Sequence, residues 1–335
     1  DPLDLIAKYG ADGVRVGMLL CSPAGNDLLY DDSLPEQGRN FANKIWNAFR
    51  LLNMWEVDPG IEQPEWSRIA VDWFRSRLSE AIEEYNNLFG KYRISEALMV
   101  VYKLFWDDFS SWYLEIIKPS YQKPVDSATI KATYELFDQL LRLIHPFMPF
   151  ITEEVWHHID KREEDQSIMI STLPEPGVAD RGLLANFEKA RELVSAIRTV
   201  RKDKDIPARE PVTLLTESGK DSMIEALLPV VKRLANIDSV EIAGSKPAGV
   251  VSFIVGIHEY YIPVGEKMDI GAEIEKLTAE LEYNRGFLES VSRKLSNEKF
   301  VSNAPESVVE TERKKKADAE SKIESILARI KGLKE

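Results

Sequence analysis

The 335-residue sequence contains one cysteine, Cys21, and four histidines. A single thiol can form neither an intrachain disulfide nor a multi-cysteine zinc site, and it fits a reducing, cytoplasmic setting. No run of about 18 apolar residues occurs, so no membrane-spanning helix is expected. The N-terminus lacks the basic, apolar and small-residue succession of a signal peptide. Asp1-Pro2-Leu3 is an unusual opening and points to a missing preceding part. No glycine-rich phosphate loop, nucleophile elbow or activated-cysteine arrangement is present, so no catalytic residue is assigned.

What is present can fill cores. Hydrophobic residues make up 44% of the chain, with seven Trp, eleven Tyr and thirteen Phe, enough for two or three domains. The net charge of -13 argues on its face against a polyanionic partner. Its distribution softens that objection. Residues 267–335 hold 14 basic and 14 acidic residues, with Arg313-Lys314-Lys315-Lys316 in one cluster. Local patches, not the total, decide whether a phosphate backbone can dock.

The expected fold is mainly α, in four segments: a leading stretch 1–32, a helical bundle 33–180, a small α/β module 181–266 and a long antiparallel helical coiled-coil hairpin 267–335. Short helices are expected up to Tyr9-Gly10 and from Val14 to Leu20, then a loop around 23–27. Ser33 and Glu36 bracket Pro35 as a helix start. That helix runs to about Trp55, and others come next near 66–89, 92–117, 127–147 and 150–160. In the module, helices near 186–204 and 221–235 accompany strands at 211–216, 239–242, 250–255 and 259–264.

The hairpin shows a 3.5-residue apolar period. Its outgoing arm carries Ile274, Leu277, Leu281, Leu288, Val291 and Leu295, with Asn284 at one seam position. The returning arm carries Val309, Ala319, Ile323, Ile326, Ile330 and Leu333. Each arm has about 27 residues, roughly 40 Å at about 1.5 Å per residue. Between them, Asn303 and Glu306 have capping-box spacing around Pro305.

At about 100° per residue, the helix near 35–55 separates into two faces. Phe41, Ile45, Ala48, Leu52 and Trp55 form an apolar side, and Arg39, Asn43, Trp46, Arg50 and Asn53 gather opposite. An indole among arginines and asparagines suits unpaired RNA, whose bases stack on aromatic rings while amides read base edges. The alternative is that Trp46 packs beneath a neighbouring helix and the arginines are solvated.

Other groups read blandly. His145, Glu153, His157 and His158 include an i,i+4 pair but no third ligand at recognisable spacing, so no metal is assigned. Arg198, Arg201, Lys202 and Lys204 read as a solvated face or as partners of a helix C-terminus. Phe300 and Val301, near the hairpin tip, either stack on a partner or close the turn.

Several segments go beyond generic patterning. Leu143-Ile144-His145-Pro146-Phe147-Met148-Pro149-Phe150-Ile151-Thr152-Glu153-Glu154-Val155-Trp156 resembles the hallmark of the anticodon-binding domain of class I aminoacyl-tRNA synthetases, among them the valine, isoleucine and leucine enzymes. Gly38 to Ala48 resembles that domain's first helix, and Asp1 to Arg15 resembles the stretch just after the KMSKS loop. Lys294 to Val301 and Ala304 to Val309 are similar to the C-terminal tRNA-binding coiled coil of the valyl-tRNA synthetases.

The resemblance implies anticodon-loop contacts from Arg39, Asn43, Lys44, Trp46, Asn47 and Arg50. Contacts to the outer corner of valine tRNA would come from Arg293, Lys294, Lys299, Arg313, Lys314 and Lys316. It also implies a cytoplasmic monomer in which the full enzyme esterifies tRNA using ATP with Mg and valine. This sequence holds neither the HIGH nor the KMSKS signature, so the fragment is expected to be inactive alone, with no cofactor of its own. Two other classes stay open: a non-catalytic RNA-binding protein, and an assembly protein that dimerises through the coiled coil.

Overall fold

The computed structural model describes residues 1–21, 31, 33–163, 165–216, 225–243, 247, 249–256, 258–263, 270–296 and 306–334. The loop expected around 23–27 lies outside these residues, as do Lys299, Phe300, Val301, Asn303 and Pro305. The chain is mainly helical with small sheets. It divides into two compact units, residues 1–211 with 220–238 and residues 212–219 with 239–335.

The first unit opens with α1 (Pro2–Tyr9), α2 (Ala11–Leu20) and α3 (Ser33–Asn53). Glycines let α2 and α3 approach closely, since a methyl added at Gly38 would sit 2.4 Å from the Gly13 carbonyl oxygen. The start of α3 differs in detail from the expected box, because Asp31, not Ser33, supplies the acceptor. Its carboxylate takes the Ser33 N–H at 2.8 Å, and that bond holds its pKa below the usual value.

Next come β1 (Val57–Asp58), α4 (Glu65–Gly90) and α5 (Ile94–Lys103), which continues without a break into a π-helical stretch, Leu104–Tyr113, and α6 (Leu114–Ile117). One helix was expected over 92–117. The wider turn accommodates a dense set of large side chains: Leu104, Phe105, Phe109 and Tyr113 are all fully buried. Phe74 lies 5.3 Å from Phe109 and 5.1 Å from Tyr113, ring centre to ring centre. Asp108 is buried in the same turn. It joins Arg77 of α4 and Arg191, each at 2.9 Å.

The unit continues with β2 (Val125–Asp126), α7 (Ser127–Ile144), α8 (Pro149–Ile159), a 3-10 turn (Ile168–Ile170) and α9 (Arg181–Asp203). β1 and β2 pair in parallel, Val57 opposite Val125. Aspartates set two of these helix starts. Asp126 accepts from Thr129 at 2.7 Å and Asp180 from Leu183 at 2.9 Å, satisfying donors that have no intrahelical partner. Helix α9 docks on α4 through Phe187, stacked on Trp73 at 3.8 Å.

In the second unit, β3 (Val212–Thr216), β4 (Ile237–Ile242, whose first two residues belong to the first unit), β5 (Val250–Val255) and β6 (His258–Pro263) form one sheet in the order β4-β3-β6-β5. The β3–β6 and β5–β6 pairs are antiparallel. The stretch 181–266 thus contributes α9 and α10 (Leu228–Ala235) to the first unit and most of its strands to the second. The last two helices are α11 (Ile270–Leu295) and α12 (Glu306–Lys334). Leu277 and Leu281 of α11 cluster with Ile323, Ile326 and Ile330 of α12. Lys294 lies 3.8 Å from Glu312, so the start of each helix lies beside the end of the other.

Candidate nucleic-acid interface

Helix α3 buries the side that its period marks as apolar: Phe41, Ile45, Ala48 and Leu52 are at most 5% exposed. Trp55 is half-buried. The opposite ridge is open. Arg39, Asn43, Asn47 and Arg50 are exposed, and among the described residues neither arginine has a carboxylate partner. Arg39 lies against the Tyr9 ring at 5.8 Å.

Trp46 is half-buried on one shoulder of this ridge, so it is neither sealed in the core nor free in solvent. Its ring meets Phe49 at 5.4 Å and the edge of His158 at 6.2 Å. His158 donates from Nδ1 to the Glu154 carbonyl at 2.7 Å, because a carbonyl can only accept. Lys44 occupies the other shoulder, its Nζ 5.2 Å from the Trp106 ring, and Trp106 stacks on Tyr102 at 5.5 Å. Lys44, an anticodon-loop contact implied by the resemblance, thus stands to the side of the ridge that the helical period marks.

Helix α8, which carries His158, is held from both sides of its start. Asp12 accepts the N–H groups of Phe150 at 3.3 Å and Ile151 at 2.7 Å, and Arg15 donates to the carbonyls of Pro146 and Phe147. Burial pushes the Asp12 carboxyl above its usual range, against the lowering pull of those N–H groups and of Arg15. Two of the quoted family-like segments, the opening and the Leu143 to Trp156 stretch, are thus in direct contact.

The other histidines have partners of their own. His157 meets Glu153 at 3.1 Å, and Glu153 also accepts from Ser167 at 2.9 Å. His145 Nδ1 lies 2.8 Å from Thr152 Oγ1, whose proton goes to the Met148 carbonyl, so Nδ1 is the donor. Among the described residues, no group of three or more His, Cys, Asp or Glu is arranged around a metal.

The basic run at the end of α9 is a solvated face only in part: Arg198 and Lys202 are exposed, but Arg201 turns inward. Arg201 is buried and donates to four carbonyls: Pro207, Glu210, Ala235 and Asn236, at 2.8–3.0 Å. Arg198 reaches the Leu234 carbonyl at 3.2 Å. Both serve the C-terminal end of α10, a neighbouring helix. Burial pulls the Arg201 pKa below its usual value.

A cleft of about 1070 Å³ opens between α7 and α8, but both of its arginines are already paired. Asp138 binds both Arg142 and Arg162 there, and Arg162 covers the Trp156 ring at 3.6 Å.

In the second unit, Leu277, Leu281, Asn284 and Val291 are buried on α11, and Val309, Glu312, Ala319 and Ile326 on α12. Asn284 donates to the Glu280 carbonyl at 2.8 Å. Glu312 accepts from Lys315 at 2.7 Å, and that bond holds its carboxyl below the usual range. Arg293 pairs with Glu289 at 2.8 Å and Lys316 with Glu320 at 3.8 Å. Arg313 and Lys314 are exposed without an ion pair among the described residues.

Sequence reasoning missed His158, Tyr102 and Trp106 as neighbours of the α3 ridge. The aromatic density of 102–113 was visible, but which rings face outward depends on the π-helical turn.

Residues 72–216 match the family model of the anticodon-binding domain of tRNA ligase, and residues 269–334 match that of the valyl tRNA synthetase tRNA binding arm. A valine–tRNA ligase of Phocaeicola vulgatus is 54% identical over 334 residues, covering 100% of this chain and 38% of that protein. The valine–tRNA ligase of Parabacteroides distasonis is 52% identical, with 99% and 38% covered. That of Fusobacterium nucleatum is 33% identical, with 100% and 40% covered. The chain thus spans about two-fifths of the length of these relatives.

Proposed function

The chain carries an anticodon-binding domain of the tRNA ligases and the tRNA-binding arm of the valyl-tRNA synthetases, and we propose that it is the part of a valine–tRNA ligase that grips valine tRNA in two places. In the first unit, the ridge of α3 takes the anticodon loop. Arg39 and Arg50 meet phosphates or bases, Asn43 and Asn47 read base edges, and Trp46 offers a stacking face. In the second, α11 and α12 form an antiparallel coiled-coil hairpin that lies along the outer corner of the tRNA, where the D and T loops meet. Arg293, Lys294, Lys299, Arg313, Lys314 and Lys316 are its contacts.

One observation carries the reading of the first unit. Arg77, Arg93, Arg142, Arg162 and Arg191 all sit within ion-pair distance of a carboxylate. Arg39 and Arg50 do not, among the described residues, and they share a ridge with two exposed amides and a half-buried indole. Unpaired guanidinium groups beside a ring suit unpaired RNA better than they suit a protein core.

The chemistry belongs to the rest of a longer polypeptide: activation of valine with ATP and Mg, then esterification of the tRNA. Contacts remote from that reaction orient the acceptor end and contribute to rate as well as affinity. We place the enzyme in the cytoplasm as a monomer.

Binding of this chain to valine tRNA, to isoleucine tRNA and to valine tRNA with an altered anticodon tests the proposal. The unaltered valine tRNA should bind tightest, with a clear loss on changing the anticodon. Equal binding of all three would remove anticodon recognition from the first unit. Concentration-dependent mass with no tRNA affinity would favour an assembly protein instead.

A further inference from the structure

We propose that the stacked Tyr102–Trp106 pair is a second base-stacking platform, taking an unpaired RNA base on the shoulder of α3 opposite Trp46. This deepens the reading of α3 as an RNA-binding ridge and rests on it. Around the helix axis, Trp46 lies about 60° to one side of Asn43 and Lys44 about 100° to the other. The ridge of Asn43, Asn47 and Arg50 thus runs between two aromatic groups, separated by something on the order of the 10–12 Å diameter of a helix.

The pair is built from below. Tyr102 rests on buried Phe41 at 4.7 Å and carries Trp106 nearly parallel to itself, with 14° between the planes. Phe105 and Phe109 of the same turn are fully buried and fill the core, whereas Tyr102 and Trp106 are only half-buried. The core is therefore complete without exposing an indole. The π-helical turn that places Trp106 is itself an uncommon conformation, frequently found at functional sites.

Lys44 now lies over the Trp106 ring. A cation over a ring at a partly exposed site is held more weakly than a stacked base. An arriving base therefore displaces the ammonium, which remains close enough to meet the phosphate of the same nucleotide. Asp107, next in sequence and exposed, disfavours a phosphate directly at the ring and so favours a base face there. Because every base presents a π-face, the platform tolerates any base and adds affinity without reading sequence.

The test uses the 335-residue chain and an RNA hairpin carrying the anticodon loop of a valine tRNA. Trp106→Leu should weaken binding roughly 5- to 150-fold, the range for losing one base–aromatic stack, while Trp106→Phe keeps most of the affinity. The salt slope of binding should fall by no more than the one phosphate contact from Lys44, about 0.7 on a single strand. Hairpins with an abasic site at each loop position identify the base: at one position Trp106→Leu should have no further effect.

Trp106→Leu binding as tightly as the parent, while Arg39→Ala and Arg50→Ala weaken binding, overturns this platform and leaves the ridge intact. No loss from any of the three overturns the ridge itself. A loss that no abasic position absorbs marks a structural effect and also overturns the platform. Should Trp106→Leu fail to fold, thiouridine placed through the loop decides on the unsubstituted chain. A crosslink recovered in the peptide holding Tyr102 and Trp106 supports the proposal, and none there refutes it.

Discussion

Replacing Arg201 with Leu should destabilise the first unit by about 3 kcal/mol, because its guanidinium closes four backbone carbonyls at once. The bond to Ala235 is fully buried and the other three are partly buried; of these the Pro207 carbonyl keeps a second donor, the Glu210 N–H at 3.0 Å, so two partly wet carbonyls are orphaned. An orphaned, fully buried carbonyl costs about 1–3 kcal/mol, and partly wet ones about 0.5–1 each. Against this, the variant no longer dehydrates a cation whose buried Nε has no partner. For a unit of this size each kcal/mol moves the thermal midpoint by about 2–4 °C, so a drop of roughly 6–12 °C is expected. Arg201→Lys should fall between, since one ammonium cannot reach carbonyls on both the 207–210 turn and the end of α10. Differential scanning calorimetry on the three proteins makes the comparison. A midpoint for Arg201→Leu within a degree or two of the parent would show that water replaces the guanidinium freely, and the assumed cost of orphaned carbonyls would be wrong.

Three further outcomes rest on single features. Asn284→Leu should raise the stability of α11 against α12 by about 1 kcal/mol, since a buried amide among Leu277, Leu281 and Val291 gives way to an apolar side chain; unchanged or lower protection of these helices in hydrogen exchange would count against the seam. His145 has a folded pKa lowered from 6.5, chiefly by burial and with Arg15 opposing the charge, while Glu153 and Asp12 favour it. Its contribution to stability is therefore present above pH 6.5 and is lost as pH falls through the lower folded value, so His145→Gln should flatten that part of a pH–melting curve. Arg39→Ala with Arg50→Ala should reduce the salt slope of RNA binding by about 1.4, at roughly 0.7 per phosphate on a single strand; an unchanged slope would take both residues off the interface.

Much of the fold was legible because it rests on local period. The apolar face of α3 and the spaced apolar residues of α11 and α12 repeat at helical intervals, and the strand at Val250–Val255 is a short run rich in β-branched residues. The π-helical turn was not legible, since nothing in Leu104 to Tyr113 forbids an α-helix; crowding among Phe74, Phe109 and Tyr113 decides it. Arg201 was legible only in part for a similar reason: its run reads as a solvated face or as a partner of the C-terminus of its own helix, and the carbonyls it meets include those of another. A run of basic residues at a helix end looks solvated until the carbonyls of α10, distant in sequence, arrive beside one of them. The division of 181–266 between two units was equally hidden, because it depends on Phe187 meeting Trp73. His158 was visible as a helix-surface residue, but its place against Trp46 depends on how α8 packs beside α3.

The placement of charge resolves the objection raised by a net charge of -13. A polyanion approaching this chain meets a field set by cations that are not already neutralised within a few ångströms. Seven arginines of the bundle, Arg68 and Arg75 with the five named above, lie within ion-pair distance of carboxylates and contribute little beyond their pairs. Arg39 and Arg50 stand on α3 without such partners among the described residues, and Arg313 and Lys314 do so on α12. On the proposed reading, an acidic surface elsewhere lowers the attraction of nucleic acid to much of the protein, while on α3 the unpaired arginines share a ridge with exposed amides and a half-buried indole that can also engage a base. Selectivity for position on the ligand arises from that contrast, and raising the total positive charge would erode it.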